Sequence, residues 1–230
     1  MTSPVPQAVT IAIHDTQRVS GLLLAPPKAR VCYVLAHGAG AGMTHPFLAD
    51  IAKGLADRGI ATLRYQFPYM EQGSKRPDVP KVAQATVRAA VATASQLVPH
   101  LALFAGGKSY GGRMTSQAQA ASPLPGVRGL VFLGFPLHLT GRPSDERGKH
   151  LFEVQIPLLF LQGTRDGLAN LDLLELLVER LGTRGTLELF QDADHSFHVP
   201  RRTGRKDSDV RTEMMDALVN WIERVMSATI

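Results

Sequence analysis

"LALFAGGKSYGGRMTSQAQAA" (residues 101–121) runs from an apolar stretch, through glycines set around one serine, into a helix-compatible segment. Within it, "GKSYG" (residues 107–111) fits G-x-S-x-G, the strand-to-helix turn that presents a nucleophile. The glycines have a steric reason. The backbone of Ser109 is expected at positive φ, and side chains two residues before and after it would collide in so tight a turn. The turn lifts the hydroxyl clear of the strand and aims the amides of the following helix at the reacting centre. Glycine and serine are common, so the pattern alone is weak. Its weight comes from the context, after an apolar strand and before a helix.

The same alternation extends in both directions. "AVTIAIHD" and "RVSGLLLAPP" read as an antiparallel opening pair. Continuous apolar runs follow: "VCYVLAHG", "IATLRYQF", "LALFAGG", "GLVFLGFP", "IPLLFLQG" and "TLELFQDA". Runs apolar at successive positions suit strands buried on both faces, as in a parallel sheet. Helical segments are predicted between them and at the end: "HPFLADIAKGLADRG", "VPKVAQATVRAAVATASQLV", "SYGGRMTSQAQAA", "LANLDLLELLVERLG" and "DVRTEMMDALVNWIERVM". The expectation is a single α/β domain over residues 1–230, with a mostly parallel eight-stranded sheet and helices on both faces.

Composition excludes several classes. With 230 residues, 44% hydrophobic and 20% charged, the chain can bury one substantial core and is not disordered. The single cysteine, Cys32, cannot form an internal disulfide and reads as a reduced core thiol. No secretory signal or membrane span is predicted, so a cytoplasmic location is expected. The formal charge of +5 comes from dispersed Lys and Arg, with only "RRTGRK" (residues 201–206) dense. A solvated loop is the simpler reading of that run, and no nucleic-acid partner is expected. No zinc-ligand spacing is present, and neither metal nor cofactor is expected.

In sheets of this kind, ligands bind at the carboxyl ends of the strands. There the unusual residues collect: "HGAGAGM", "GGKSYGG", "GTRDG" and "DADHSF". A serine hydroxyl needs a base, and the base an orienting acid. Ser109, Asp166 and His195 supply these in chain order, each in a loop after an apolar strand. Asp166 as a helix cap and His195 as a surface residue are the alternatives, and Asp192 and Asp194 compete for the acid role. Asp194 is also a candidate to steady the histidine loop. The oxyanion needs amide donors. Tyr110 N–H is expected to be one and Ala39 N–H the second, with Gly38 or Gly40 as alternatives to Ala39. His37 is expected to brace that loop, and His45 with Pro46 to begin the next helix.

"LAHGAGAGMTHPFL", "RYQFPYME", "GGKSYGGRM", "GFPLHLTGRP", "GTRDG" and "DADHSF" together resemble the Tex/KANL-type α/β-hydrolases, small lidless proteins near the dienelactone hydrolases. The resemblance covers roughly residues 30–200 and implies the α/β-hydrolase fold, with Ser109, Asp166 and His195 at the family's triad positions. Two departures carry expectations. Gly167 stands where proline is usual, which loosens the acid loop, and Tyr110 stands where a smaller or methionine-like residue is frequent, which narrows the site. Some relatives in chromatin complexes act as assembly subunits.

Only "LHLTGRPSDERGKHLFEV" (residues 137–154) is present where related enzymes insert a lid, too little for a large cap. A shallow open cleft for small to moderate carboxylic esters or thioesters follows. Phe135, His138 and Tyr69, with Phe67, Met70 and Leu139, are expected to line the acyl pocket or to pack the loops on the core. Arg142 and the basic run favour an anionic acid portion. The expected protein is a serine hydrolase of the carboxylesterase or thioesterase kind, acting on a small-molecule ester as a monomer or homodimer. The alternative is a noncatalytic interaction module on the same scaffold.

Overall fold

The computed structural model describes residues 5–228. Eight strands form one sheet: β1 (Gln7–His14), β2 (Gln17–Leu24), β3 (Val31–Ala36), β4 (Ile60–Tyr65), β5 (Ala102–Lys108), β6 (Val127–Leu133), β7 (Leu158–Gly163) and β8 (Gly185–Phe190). Their order across the sheet is β1-β2-β4-β3-β5-β6-β7-β8. The β1–β2 and β2–β4 pairs are antiparallel, and the remaining neighbours are parallel. Every residue of β3, β4 and β7 is buried, which explains their unbroken apolar sequences. The edge strands β1 and β8 are largely half-buried or exposed.

Six α-helices cover the two faces: α1 (Pro46–Asp57), α2 (Pro68–Glu71), α3 (Pro80–Leu97), α4 (Tyr110–Ala121), α5 (Leu171–Leu181) and α6 (Asp207–Ser227). Helices α1 and α6 close one face, where Leu48, Ile51, Leu55, Met214, Leu218 and Trp221 meet Tyr33, Leu35 and Phe104. On the other face α3, α4 and α5 pack through Val87, Val91, Met114, Leu174 and Leu177 against Val34, Phe132 and Phe160. The apolar stripe of α6 is thus spent on the sheet. Trp221 is 3% exposed, crosses Phe104 at 5.8 Å, and donates its indole N–H to Thr186 Oγ1 at 3.2 Å.

Local chemistry sets the helix starts. His45 caps α1, its Nδ1 accepting from Phe47 N–H at 3.2 Å, with Pro46 at the first helical position. Asn170 caps α5 by accepting from Leu173 N–H at 3.0 Å. The cap of that helix is therefore Asn170 and not Asp166. Among the pieces with no sequence signal are the four-residue α2 and a 3-10 segment at Glu146–Glu153. The 3-10 segment packs against α4.

The register aligns the carboxyl ends of the strands. Ala36 pairs with Gly107, Lys108 with Leu133, Leu133 with Leu161, and Gly163 with Phe190. Strand order reverses around β3, which has β4 on one side and β5 on the other. At that reversal the loops after β3 and β5 diverge and leave a crevice. Fully buried His37, just past β3, ties that loop to the one after β4. Its Nδ1–H donates to Gly38 O at 2.7 Å and its Nε2 accepts from Phe67 N–H at 3.1 Å. Burial pushes its imidazole down to about 4. Burial, reinforced by the Arg113 guanidinium, does the same to His150.

Phe160 has no exposed surface and meets the rings of Phe132 and Phe135 at 4.9 and 5.8 Å. Phe160→Ala is expected to cost about 3–5 kcal/mol in urea unfolding followed by the Trp221 fluorescence. The histidines give a pH dependence. The unfolded chain, with histidine near 6.5, binds protons that the folded His37 refuses until about 4. Stability held above 6.5 is therefore lost as pH falls toward 4, by on the order of 3 kcal/mol for His37. Urea midpoints from pH 7 to 4 should fall less steeply in His37→Gln, and an unchanged slope would contradict this.

Candidate active site

Ser109 occupies the turn between β5 and α4 with φ 49° and ψ −114°, the strained backbone expected of the turn. A Cβ on Gly107 would lie 2.3 Å from Ala36 O, and one on Gly111 would lie 2.5 Å from His37 O. Both approaches are to backbone, so neither position can accept a side chain without moving β3. The Ser109 amide donates to Leu133 O at 3.2 Å, which fastens the turn to β6.

The three predicted side chains meet. His195 Nε2 lies 2.8 Å from Ser109 Oγ, and His195 Nδ1 lies 2.6 Å from Asp166 Oδ2. With the Nδ1 proton directed at Asp166, Nε2 is left to accept from the serine hydroxyl. The Asp166 side chain has no exposed surface, whereas 24% of the His195 side chain reaches solvent. The carboxyl is thus buried and the imidazole accessible. Asp192 and Asp194 make no hydrogen bond to the imidazole. Asp194 Oδ1 instead accepts from Ser196 N–H at 2.8 Å and His198 N–H at 3.0 Å, within the histidine loop.

Asp166 is anchored by groups the sequence reading passed over. Gln162 donates its Nε2–H to Asp166 Oδ2 at 2.6 Å and accepts Phe135 N–H on Oε1 at 2.8 Å. Leu168 N–H donates to Asp166 Oδ1 at 2.8 Å. These bonds hold the carboxyl despite the neighbouring Gly167, so the loosening expected there is not seen. The signal for Gln162 was a lone amide inside the otherwise apolar "IPLLFLQG". Lys108 was also missed. Its ammonium donates to His195 O at 2.6 Å, and burial pushes it down to about 8 against the opposing pull of Asp166 and Asp194.

Among the amides proposed for the oxyanion, Gly40 N–H already donates to Tyr69 Oη at 3.0 Å. Among the described residues, Ala39 N–H has no protein acceptor, and Tyr110 N–H, first in α4, has none within its helix. Both therefore remain available to a ligand beside Ser109.

The crevice over Ser109 has a volume of about 400 Å³, and Ala39, Ala41, Phe47, Leu48 and Leu168 give it apolar walls. The residues expected to line an acyl pocket are placed elsewhere. Phe135 is fully buried against Phe132 and Phe160. His138 is 5% exposed, bonded to Leu139 O and accepting Asn170 N–H on Nε2 at 2.6 Å. Tyr69 is 2% exposed and holds the Gly40 amide. Core packing and buried hydrogen bonds claim all three, so none faces the crevice. Tyr110 does not narrow it either, because its ring packs on Phe67 and its hydroxyl donates to Asp78 O at 3.0 Å. No residue of 137–154, the segment in the lid position, lines it. Among the described residues there is no group of three or more side chains suited to holding a metal, and no helix long and apolar enough to cross a membrane.

Solved structures share this architecture. A dienelactone hydrolase from Anabaena variabilis is 22% identical with a TM-score of 0.77, over 97% of this chain and 99% of that one. An α/β serine hydrolase without a lid from Xanthomonas campestris is 22% identical with a TM-score of 0.72, over 94% of each chain. The esterase domain of a Rhodothermus marinus protein is 17% identical with a TM-score of 0.73, over 96% of this chain and 98% of that one. At these identities the likeness speaks for the fold. The model of the alpha/beta hydrolase domain family matches residues 29–223, and with the sheet order and the serine turn described above, the chain belongs to that family.

Proposed function

We propose that the protein is a serine hydrolase that cleaves small to moderate carboxylic esters or thioesters through an acyl-enzyme. The observation that carries this reading is the unbroken chain from Ser109 Oγ to His195 Nε2 at 2.8 Å and from His195 Nδ1 to Asp166 Oδ2 at 2.6 Å, beside an apolar crevice. Ser109 Oγ attacks the carbonyl carbon while His195 Nε2 takes the hydroxyl proton. The buried Asp166 keeps the Nδ1 proton in place and offsets the charge gained by the imidazole. Tyr110 N–H and Ala39 N–H donate to the oxyanion. As the intermediate collapses, His195 returns the proton to the leaving alcohol or thiol. Water then enters, His195 takes one of its protons, and a second collapse releases the acid and restores Ser109.

The crevice favours compact acyl groups, since about 400 Å³ and no covering segment leave a long chain in water. The chemistry needs no cofactor or metal, and the partner assigned is a small-molecule ester. Of the basic run, Arg205 is occupied by Glu213 and Gln191 O, which weakens the case for a polyanion.

A fluorophosphonate should label Ser109 and leave Ser109→Ala unlabelled, as read by peptide mass spectrometry. Turnover of a short p-nitrophenyl ester should fall by about 10⁴-fold or more in His195→Ala, and by on the order of 10³–10⁴-fold in Asp166→Asn. Absence of both labelling and turnover in the native chain would leave the noncatalytic scaffold as the better reading.

A further inference from the structure

We propose that Lys108 is a positioning residue, its ammonium clamping the main-chain carbonyl of His195 and so holding the base in register with the nucleophile one residue further along. The inference rests on the Ser109–His195–Asp166 reading. Lys108 ends β5 and Ser109 follows it directly, so any displacement of the turn carries both residues together. From that position Nζ reaches His195 O at 2.6 Å. The serine turn therefore grips the histidine in two places, through the hydroxyl at the ring and through the ammonium at the backbone.

On the side of Gly134 the ammonium is closely packed. A Cβ on Gly134 would lie 3.0 Å from Lys108 Nζ, 3.4 Å from His195 Nδ1 and 3.5 Å from Asp166 Oδ2. The three groups thus converge over the bare α-carbon of Gly134, a residue at φ 72°. The Phe197 ring lies 5.6 Å from Nζ, and it stacks on Phe47 of α1 at 5.9 Å. Asp194 binds amides of its own loop, so it shapes the loop without tying it to β5. Of the side chains described, Lys108 is the one that joins the loop backbone to the serine strand. A charged donor to a half-buried carbonyl is among the stronger hydrogen bonds, and misplacing a catalytic group by about 1 Å can cost about 10²-fold in rate.

The test compares the full-length native chain with Lys108→Met and Lys108→Cys, the latter before and after alkylation with 2-bromoethylamine or iodoacetamide. Aminoethylation rebuilds a lysine-length ammonium, and carboxamidomethylation adds bulk without charge. Lys108→Met should lower kcat for p-nitrophenyl acetate by about 10- to 100-fold with KM within about twofold. The rate of fluorophosphonate labelling at Ser109 should fall by the same factor. Aminoethylated Lys108→Cys should recover most of both rates, whereas the iodoacetamide product should not. A role in stability alone would lower the melting temperature and leave the rates of folded enzyme unchanged. Native-like rates in Lys108→Met, or a loss that complete aminoethylation does not restore, would overturn the clamp. A native chain that neither turns over ester nor labels would overturn the catalytic reading itself, which separates the two failures.

Discussion

A carboxyl group with no exposed surface has to be surrounded by donors, and Asp166 shows how much of the site follows from that. Burying it without partners would cost several kcal/mol. Three donors from three places satisfy it: the Gln162 amide within β7, the Leu168 backbone in its own loop, and the His195 ring after β8. The tautomer and ring plane of His195 follow from its share of this arrangement, and so does the Nε2 lone pair offered to Ser109. Gln162 is held by the Phe135 amide, so even the loop after β6 is drawn in. This explains why an aromatic expected at the substrate lies in the core.

The arrangement depends on hydrogen-bond register. Pairing of Lys108 with Leu133, Leu133 with Leu161, and Gly163 with Phe190 ends neighbouring strands at one level. Ser109 and His195, 86 positions apart in the chain, then emerge side by side. The turn at Ser109 adds a second constraint, because the end of β5 and the start of α4 lie so close to the backbone of Ala36 and His37 that only glycine fits at 107 and 111. A strand slipped by one residue would turn these side chains to the opposite face.

The crevice has a division of labour that residue types alone do not reveal. Its walls come from α1 and the loops after β3 and β7, in Ala39, Ala41, Phe47, Leu48 and Leu168. The larger aromatics after β4 and β6 support those loops from beneath. Tyr69 is an example, taking the Gly40 amide, whereas the amide of Ala39, which lines the crevice, has no protein acceptor among the described residues. Lys108 stands between the two groups, lining the crevice while bonded to the histidine backbone.

Much was legible in the chain because the relevant signals are local. Buried parallel strands write themselves as continuous apolar runs, the G-x-S-x-G turn is steric, and caps such as His45 lie beside their helices. The strands, the long helices and the grouping of Ser109, Asp166 and His195 at one rim were therefore readable in advance. The four-residue α2 and the 3-10 segment were not, since neither is long enough to show a helical period. Nor were the inward turn of Phe135, His138 and Tyr69 or the bonds of Gln162 and Lys108. An aromatic or a long polar side chain satisfies the same sequence pattern facing either way, and only packing against distant elements chooses its direction. The sequence alone determined which groups reach the rim, and tertiary structure decided which way each of them points, because orientation depends on partners supplied by other strands.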